Sequence, residues 1–483
     1  TALKPIKEGN KNYFYIKDEV KIHLFGKNLT CNTLIFTQKD RSVGACTPTS
    51  LWISLNGVKS LWDLGEIPSI SDLTIMAENL IGPYSRTFPN KGLYIPQLEY
   101  IIKRFGLEPD YISPYEFANP SELISAYIRA KIPIMVLIDF YKTNKVEKRE
   151  ENQWVFKKKE DLLKAEKQLD MKHMCVISGV ELINLDEVKS EENLITSHLN
   201  KIFIHDDNMS PYEPCVINSV EIIRENGNKN ITYELDYENQ KGFESGGMWI
   251  LDGILIPAYP KIRINFEHAR YLLFNLQKSL LFFKQNTIKL VQTQLEKQGI
   301  IKIGEEGNTP NIRLDDSSKK YIFKDLMQQE IIDFMKLKNN LVDIDFYWDI
   351  SLKISNEYKN EVIKNESIKR QNNIREFLLS EPFPRFFWLI QTFNAQKKIL
   401  GEFFIDATDI DPPIIFYLVW CDKELKDTLM EISKIYIDNS HDLTSIMADQ
   451  GIWRTKYYEN KDTLICLIKE FFKSILVNLK KMK

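Results

Sequence analysis

One cysteine of this chain stands in a sequence context that is typical of a reactive thiol. Residues 37–52 read Thr37-Gln38-Lys39-Asp40-Arg41-Ser42-Val43-Gly44-Ala45-Cys46-Thr47-Pro48-Thr49-Ser50-Leu51-Trp52. Small residues lead into Cys46, and an apolar run with helical character follows it. A helix that begins at this cysteine directs the positive end of its dipole at the thiol, which favours the thiolate. Gln38 carries an amide that can donate a hydrogen bond to an oxyanion.

Two later stretches contain the partners that a nucleophilic thiol requires. One is an apolar, strand-like run that opens with His173, and the other is a strand-like run that ends at the pair Asp206-Asp207. A cysteine nucleophile needs a base that takes its proton and a group that orients that base. We therefore expect Cys46, His173 and Asp206 to meet in the folded chain.

Neighbouring residues compete for these roles. Strand alternation places Asp206 and Asp207 on opposite faces, and we prefer Asp206 because it is the first carboxylate after the strand. His205 is a rival base or a metal ligand, but no second cluster of ligands accompanies it in the sequence. Cys175 lies on the same strand face as His173, and we interpret it as a packing residue.

Composition narrows the possible classes of function. The chain has 483 residues, of which 43% are hydrophobic, and a net charge of −3. This length suits two to four ordinary domains with substantial cores. Nucleic-acid binding usually needs a basic excess, which is absent from the composition, so we expect no nucleic-acid partner. No apolar run has the length that a bilayer-spanning helix needs, so we expect no membrane span.

The cysteines of the chain do not have the spacing of a zinc site or of a disulfide framework. The six are Cys31, Cys46, Cys175, Cys215, Cys421 and Cys466. None forms a C-x-x-C pair, so we expect no metal and no cofactor. Scattered cysteines favour reduced thiols and a cytoplasmic location. The sequence begins with Thr1 rather than Met, which leaves open a targeting segment that has been removed.

A proline-rich connection divides the chain. Pro257-Ala258-Tyr259-Pro260 separates a first half of mixed helices and strands from a second half in which helical patterns dominate. We expect one domain over 1–260 and a second over 261–483, packed on the first.

The local patterns predict individual elements. In the first half, we expect helices over 46–55, 71–80, 95–105 and 119–130, and strands over 19–24, 32–36, 132–140, 173–180, 201–206 and 248–256. In the second half, we expect helices over 266–298, 321–341, 347–379 and from 462, a hairpin over 385–393 and 398–406, and a strand over 414–420.

The chain order Gln38, Cys46, His173, Asp206 resembles that of the papain-like cysteine peptidases, and within them the bacterial C39-like branch. In that family a helix starts at the cysteine, the histidine opens a sheet strand, and an Asp or Asn follows the next strand. The resemblance covers about residues 30–260. It implies an α+β fold, with a papain-like cysteine peptidase domain of N-terminal helices plus an antiparallel sheet, followed by a helix-rich mixed region.

The resemblance also implies a role for each residue of the motif. Cys46 would be the nucleophile, His173 the general base and acid, and Asp206 the group that orients the imidazole. Gln38 and the Cys46 backbone N–H would form the oxyanion hole. Gln38 lies further from the cysteine than in the family pattern, and Thr47 stands where the family often has glycine.

The resulting functional hypothesis is a cysteine-dependent hydrolase that acts on a peptide or isopeptide bond of a protein or peptide substrate through a thioester at Cys46. Deamidation and transglutamination use the same machinery and stay open at this point. The alternative from another class is a catalytically inert papain-like frame that serves as a binding or assembly module. The sequence does not indicate the substrate, the oligomeric state or the role of 261–483.

Overall fold

The structure, a computed structural model, describes most of the first half of the chain and part of the second. The described residues are 12–38, 45–80, 92–113, 119–142, 146–150, 153–156, 171–183, 194, 199–223, 229–237, 247–277, 280, 345–364, 372–409 and 415–425. The predicted helices over 321–341 and from 462, and nearly all of the helix predicted beyond residue 277, lie outside these ranges.

The first helix, α1, begins at Cys46 as predicted and spans Cys46–Trp62. Pro48 lies in its first turn, where the missing proline N–H removes no helical hydrogen bond. The sequence predicted an end near Gly57, but the helix continues through this residue. A Cβ at Gly57 would lie 3.0 Å from Cγ of Pro133. Glycine at this position therefore allows close packing of the helix rather than its termination.

Three more helices confirm the remaining helix predictions for the first half, whereas the strand predicted over 32–36 is wrong beyond residue 33, where the strand ends. The three helices are α2 (Ile70–Glu78), α3 (Ile95–Arg104) and α4 (Pro120–Arg129). Side chains cap two of them. Ser69 Oγ accepts the Asp72 backbone N–H at 3.2 Å, and Asn119 Oδ1 accepts the Ser121 backbone N–H at 3.0 Å.

Strands make up most of the remaining described part of the first half. They are β1 (Tyr13–Tyr15), β2 (Asp18–Leu24), β3 (Lys27–Thr33), β4 (Glu108–Ile112), β5 (Ile134–Lys142), β6 (Val146–Glu150), β7 (Gln153–Phe156), β8 (Met171–Leu182), β9 (Leu199–His205), β10 (Glu213–Ile223), β11 (Lys229–Tyr237) and β12 (Gly247–Ala258). β2 and β3 pair only with each other among the described strands, as an antiparallel hairpin.

Six of these strands form a closed antiparallel β-barrel. The order around the barrel is β8, β5, β12, β11, β10 and β9, and the pairing of β9 with β8 closes the ring. Four further strands extend the wall. β1 pairs with β8, β4 with β12, β7 with β10 in parallel, and β6 with β7.

The closed barrel shows that the expected papain-like fold, with N-terminal helices and an antiparallel sheet followed by a helix-rich region, is wrong. The sequence predicts neither β10 nor β11, and the ring cannot close without them. Polar residues interrupt both strands, which hides the apolar pattern. The described part of the second half contains four strands in addition to its helices.

The chain divides into two units. The first comprises Thr1–Phe266 with Asp349–Ile354, and the second comprises Glu267–Trp348 with Ser355–Lys483. A strand from the second half, β13 (Tyr347–Ile354), thus contributes most of its residues to the first unit. There Arg129, in α4, donates two hydrogen bonds of 2.7 Å to the Asp349 carboxylate.

The helix predicted over 347–379 is wrong in its first part, because 347–354 form β13. The first six residues of this strand are all buried, so apolar residues occupy both faces and the period-two alternation is lost. Such a run cannot be distinguished from a buried helix by periodicity alone. The later residues do form helices, α6 (Ser355–Lys364) and α7 (Asn372–Ser380), after α5 over 266–277.

The second unit contains the predicted hairpin and the strand that follows it. They are β14 (Phe386–Phe393), β15 (Ile399–Asp406) and β16 (Ile415–Trp420), which pair in an antiparallel meander. Asn394 closes the hairpin turn, since its Oδ1 accepts the backbone N–H groups of Gln396 and Lys398 at 3.1 and 2.9 Å. A cluster of buried residues from α6, α7 and the three strands forms the core of this unit.

A close approach between β1 and β8 leads to the first prediction. Gly179 pairs with Tyr15, and a Cβ at Gly179 would lie 2.5 Å from Cδ1 of Tyr15 and 2.9 Å from the Phe14 carbonyl oxygen. We expect Gly179→Ala to lower the free energy of unfolding by about 1–3 kcal/mol in urea denaturation, because the backbone must move. Gly65→Ala is the control, since a Cβ there meets nothing within 4 Å. Equal effects of the two substitutions would contradict this packing.

Candidate active site

The candidate site lies at one end of the barrel, and the strand directions explain why. His173 is near the start of β8, and Asp206 directly follows the end of β9, the antiparallel neighbour of β8. Tyr237 ends β11, and Trp249 is near the start of β12, which again are antiparallel neighbours. Adjacent antiparallel strands bring the end of one beside the start of the next, so these four residues share one end of the barrel.

A contact across the barrel shows which way these side chains point. Cys175 Sγ, on β8, lies 3.9 Å from the Tyr237 hydroxyl, on β11, although the two strands are not neighbours in the ring. Both side chains therefore point into the barrel. His173 has the same orientation as Cys175, since residues two apart on a strand share a face.

Cys46 is the first residue of α1 and is half-buried. The first turn is formed by the bond from the Thr49 backbone N–H to the Ala45 carbonyl oxygen at 3.0 Å. The thiol lies at the N-terminus of the helix, where the helix dipole favours negative charge. Thr47 Oγ1 lies 3.8 Å from Cys46 Sγ.

His173 connects the thiol to a carboxylate. Its Nε2–H donates to Asp206 Oδ1 at 2.9 Å, and both side chains are almost completely buried. The Cys46 thiol group lies close enough to His173 to raise the pKa of the imidazole, as a charge and as a hydrogen-bonding partner. Because Asp206 engages Nε2, the ring nitrogen left for the thiol is Nδ1. The structure therefore brings the side chains of Cys46, His173 and Asp206 into one hydrogen-bonded series.

The surroundings strongly favour the charged form of His173. Burial alone would lower the pKa of the imidazole, but the Asp206 carboxylate and the Cys46 thiol group outweigh burial and raise the pKa to about 10. The ring is then protonated at neutral pH. A protonated ring beside a sulfur favours the thiolate in return.

Asp206 is held by a turn and by the barrel wall. Its Oδ1 also accepts the Asn208 backbone N–H at 2.9 Å, and its Oδ2 accepts the Tyr237 hydroxyl proton at 3.3 Å. Burial opposes the charge on Asp206, but the interaction with His173 and these hydrogen bonds lower the pKa of the carboxyl below its ordinary value. The carboxylate therefore stays charged and fixed in orientation.

The neighbouring carboxylate stands further from the ring. Asp207 Oδ1 lies 3.7 Å from His173 Nε2, beyond the 2.9 Å hydrogen bond that Asp206 makes. Asp206 is therefore the carboxylate that orients the imidazole in this structure. The choice that strand alternation left open is decided by the turn at Asn208, which fixes the Asp206 oxygen toward the ring.

Gln38 is placed differently from the other three predicted site residues. It is exposed, in the non-regular segment that follows β3. Among the residues that the structure describes, no hydrogen bond joins Gln38 to His173, Asp206 or Cys46. The stretch 39–44 between Gln38 and the helix lies outside the described residues. Backbone N–H groups at the start of a helix can donate to an oxyanion without a side-chain amide.

The surroundings of His205 and Cys175 suit a structural role for both residues. His205 lies with Nδ1 2.7 Å from Ser178 Oγ and Nε2 3.4 Å from the Leu34 carbonyl oxygen, and burial lowers its pKa to about 3. His205 is therefore neutral, and neither of these two bonds involves Cys46. Cys175 is fully buried, and burial raises the pKa of its thiol well above the ordinary value. The burial of Cys175 and the raised pKa of its thiol agree with the packing role expected for this residue.

Three residues around His173 were not anticipated from the sequence. Tyr237 bonds Asp206, Asn208 lies with its amide nitrogen 3.3 Å from His173 Nε2, and the Trp249 ring packs 6.2 Å from the imidazole centroid. The Asp-x-Asn spacing of 206–208 is a turn pattern that could have indicated Asn208. Tyr237 and Trp249 arrive through β11 and β12, and no local signal links them to His173.

The same carboxylates have a spacing that would suit a cation. Ligand atoms of His173, Asp206 and Asp207 lie within 4.8 Å of one another, and all three residues are buried. A metal ion on Nε2 would need the position that the Nε2–H proton occupies in the bond to Asp206. Cation binding and this hydrogen bond therefore exclude each other.

Comparison with known proteins adds no family assignment. No family model matches this chain, and no curated protein matches it. None of the described helices is long and apolar enough to cross a membrane.

Proposed function

We propose that this chain is a cysteine-dependent hydrolase that transfers an acyl group through a thioester at Cys46. The observation that carries the proposal is the hydrogen-bonded series from Cys46 through His173 to Asp206 at one end of the barrel. Core packing alone does not require a buried imidazolium between a thiol and a carboxylate, because burying charges is costly. Peptide or isopeptide bonds are the substrates that such a group suits best.

The first step forms the thioester. The Cys46 thiolate attacks the carbonyl carbon of the substrate, and the oxygen that becomes negative is stabilised by backbone N–H groups at the start of α1. The C–N bond then breaks, and His173 gives its Nδ1 proton to the departing amine. The product of this step is an acyl group on sulfur and a neutral imidazole.

The second step restores the thiol. Neutral His173 takes a proton from water, and the water oxygen attacks the thioester carbon. The C–S bond breaks, the carboxylic acid leaves, and the thiolate–imidazolium pair is regenerated. Asp206 keeps the ring oriented throughout and stabilises its charged form. An amine in place of water would give transglutamination, and a glutamine side chain as substrate would give deamidation, both through the same thioester.

An acyl-transfer experiment tests this proposal. We expect p-nitrophenyl acetate to release nitrophenolate in a burst and to leave an acetyl group on Cys46, which mass spectrometry of peptides locates. Cys46→Ala should abolish the burst. Cys31→Ala is the matched control, because Cys31 is also a half-buried free thiol. Acetylation that is spread over several cysteines without a burst would contradict the proposal and favour an inert binding or assembly module.

A further inference from the structure

The hydroxyl group of Tyr237 is hydrogen-bonded to Oδ2 of Asp206, the carboxylate oxygen that does not bond His173. His173 and the Asn208 backbone N–H both bind Oδ1, whereas Tyr237 donates to Oδ2 at 3.3 Å. The two oxygens are thus held from opposite directions. A carboxylate that is bound only through Oδ1 can rotate about its Cβ–Cγ bond, and rotation would change the angle of the bond to His173.

Tyr237 is itself held firmly by the barrel. It is 2% exposed and ends β11, where it pairs with Cys215 on β10. Its hydroxyl lies 3.9 Å from Cys175 Sγ, and its ring packs edge-on against Trp249 at 6.1 Å. Trp249 also packs near the imidazole, so the rings of Tyr237 and His173 contact the same neighbour.

The direction of the hydrogen bond between Tyr237 and Asp206 is also determined. Burial and the nearby Cys175 and Asp206 groups raise the pKa of the Tyr237 hydroxyl well above its ordinary value, so the proton stays on the oxygen. The hydroxyl is then a donor to Asp206 at every pH at which the protein is handled. The Cys175 S–H can donate to the same hydroxyl oxygen, which extends the series to Cys175, Tyr237, Asp206, His173 and Cys46.

We propose that Tyr237 is a positioning residue that fixes the Asp206 carboxylate and so maintains the thiolate–imidazolium pair at Cys46. This inference depends on the function proposed above, since it assigns a role in the same site. Tyr237 does not touch the reacting atoms and acts through Asp206 and His173. Filling space in the barrel would explain the ring of Tyr237 but not the bond from its hydroxyl group.

The test is the rate of Cys46 alkylation by iodoacetamide in the full chain, measured against pH. We expect Tyr237→Phe to lower the rate at pH 7 about three- to tenfold, as the loss of one ordinary hydrogen bond predicts for a bond as long as 3.3 Å. The rate should equal that of the unsubstituted protein at high pH, where the thiol ionises without help from His173. Loss of packing alone would lower the rate at every pH or leave it unchanged, and either result would overturn the proposal.

Tyr212→Phe is the matched control. Tyr212 is another buried tyrosine of the first unit, but its hydroxyl bonds backbone groups, the Leu34 N–H at 2.8 Å and the Ile16 carbonyl at 2.9 Å. We expect this substitution to reduce stability and to leave the pH profile of Cys46 alkylation in place. A profile that shifts as much as in Tyr237→Phe would overturn the specific role of Tyr237.

A second measurement applies if Tyr237→Phe does not fold. With 3-fluorotyrosine inserted at position 237, the fluorine resonance should shift when Asp206 is replaced by Asn, because the two groups are in direct contact. An unchanged resonance would overturn the proposal.

His173→Ala distinguishes failure of the proposed function from failure of the role of Tyr237. If it does not slow alkylation, the proposed function fails, whereas an effect of His173→Ala without one of Tyr237→Phe removes only the role of Tyr237.

Discussion

Replacing His173 with Gln is expected to slow the alkylation of Cys46 by iodoacetamide about 100-fold at pH 6. The imidazolium formed at His173 is the charge that favours the thiolate, and glutamine keeps the polarity and much of the volume without carrying charge. At pH 10 the difference should be small, because an isolated thiol also ionises there. The measurement is the rate of modification of Cys46, read by peptide mass spectrometry on the full chain.

His205→Gln is the control for this substitution, because His205 is an equally buried histidine of the same barrel. Its hydrogen bonds go to Ser178 and Leu34, so its replacement should leave the alkylation rate of Cys46 nearly unchanged. Equal rates for the unsubstituted protein and His173→Gln at pH 6 would refute the proposed ion pair. A rate that changes on addition of a chelator would instead indicate a metal ion among the carboxylates.

Replacing Asp206 with Ala is expected to lower the free energy of unfolding of the first unit by about 3–5 kcal/mol at pH 5–6. The substitution leaves the His173 imidazole buried without its partner, and burial then opposes the charge that the ring carries. Urea denaturation of the full chain measures the loss, and hydrogen exchange of the β8 amides reads the first unit separately. Asp207→Ala is the control and should cost less, since Asp207 stands 3.7 Å from the ring.

The size of this loss should depend on pH in a defined direction. The pKa of His173 rises from an ordinary 6.5 to about 10 on folding, so its contribution is complete below pH 6.5 and disappears as the pH rises through 10. The pKa of Asp206 falls from an ordinary 3.8, so its contribution is complete above pH 3.8 and disappears as the pH falls through the lowered value. The Asp206→Ala deficit should therefore be largest between these limits.

A double substitution gives a sharper version of the same test. His173→Gln combined with Asp206→Ala removes both charges of the His173–Asp206 pair, so it should restore part of the stability that Asp206→Ala alone removes. A deficit that adds fully from the two single substitutions, or that is the same at pH 5 and pH 10, would show that the two side chains are not coupled as the structure describes.

Local sequence was sufficient to locate the helices of the first half and the order of the candidate residues. Capping residues such as Ser69 and Asn119 act within one turn of the chain, so the helix starts that they set can be predicted locally. The start of α1 at Cys46 follows in the same way from small residues before it and Pro48 within its first turn. The position of the thiol at a helix N-terminus was therefore predictable.

The architecture was not predictable by the same means. The closed barrel depends on β9 pairing with β8 on one side and β10 on the other, and on β10 and β11 bridging to β12. Each pairing joins residues that are distant in the chain or whose apolar pattern polar residues interrupt. Resemblance to a papain-like order of residues predicted a different fold, because an order of four residues does not specify how a sheet closes.

The sequence by itself determined the chemical groups: a thiol at a helix start, an imidazole that opens one strand and a carboxylate that follows another. Only the tertiary structure decided that His173 bonds Asp206 at 2.9 Å, that Tyr237 holds the other carboxylate oxygen, and that Gln38 is exposed. Local interactions set the first kind of feature. The second kind depends on barrel closure, which brings β8, β9 and β11 to one end and so sets distances that no stretch of sequence contains.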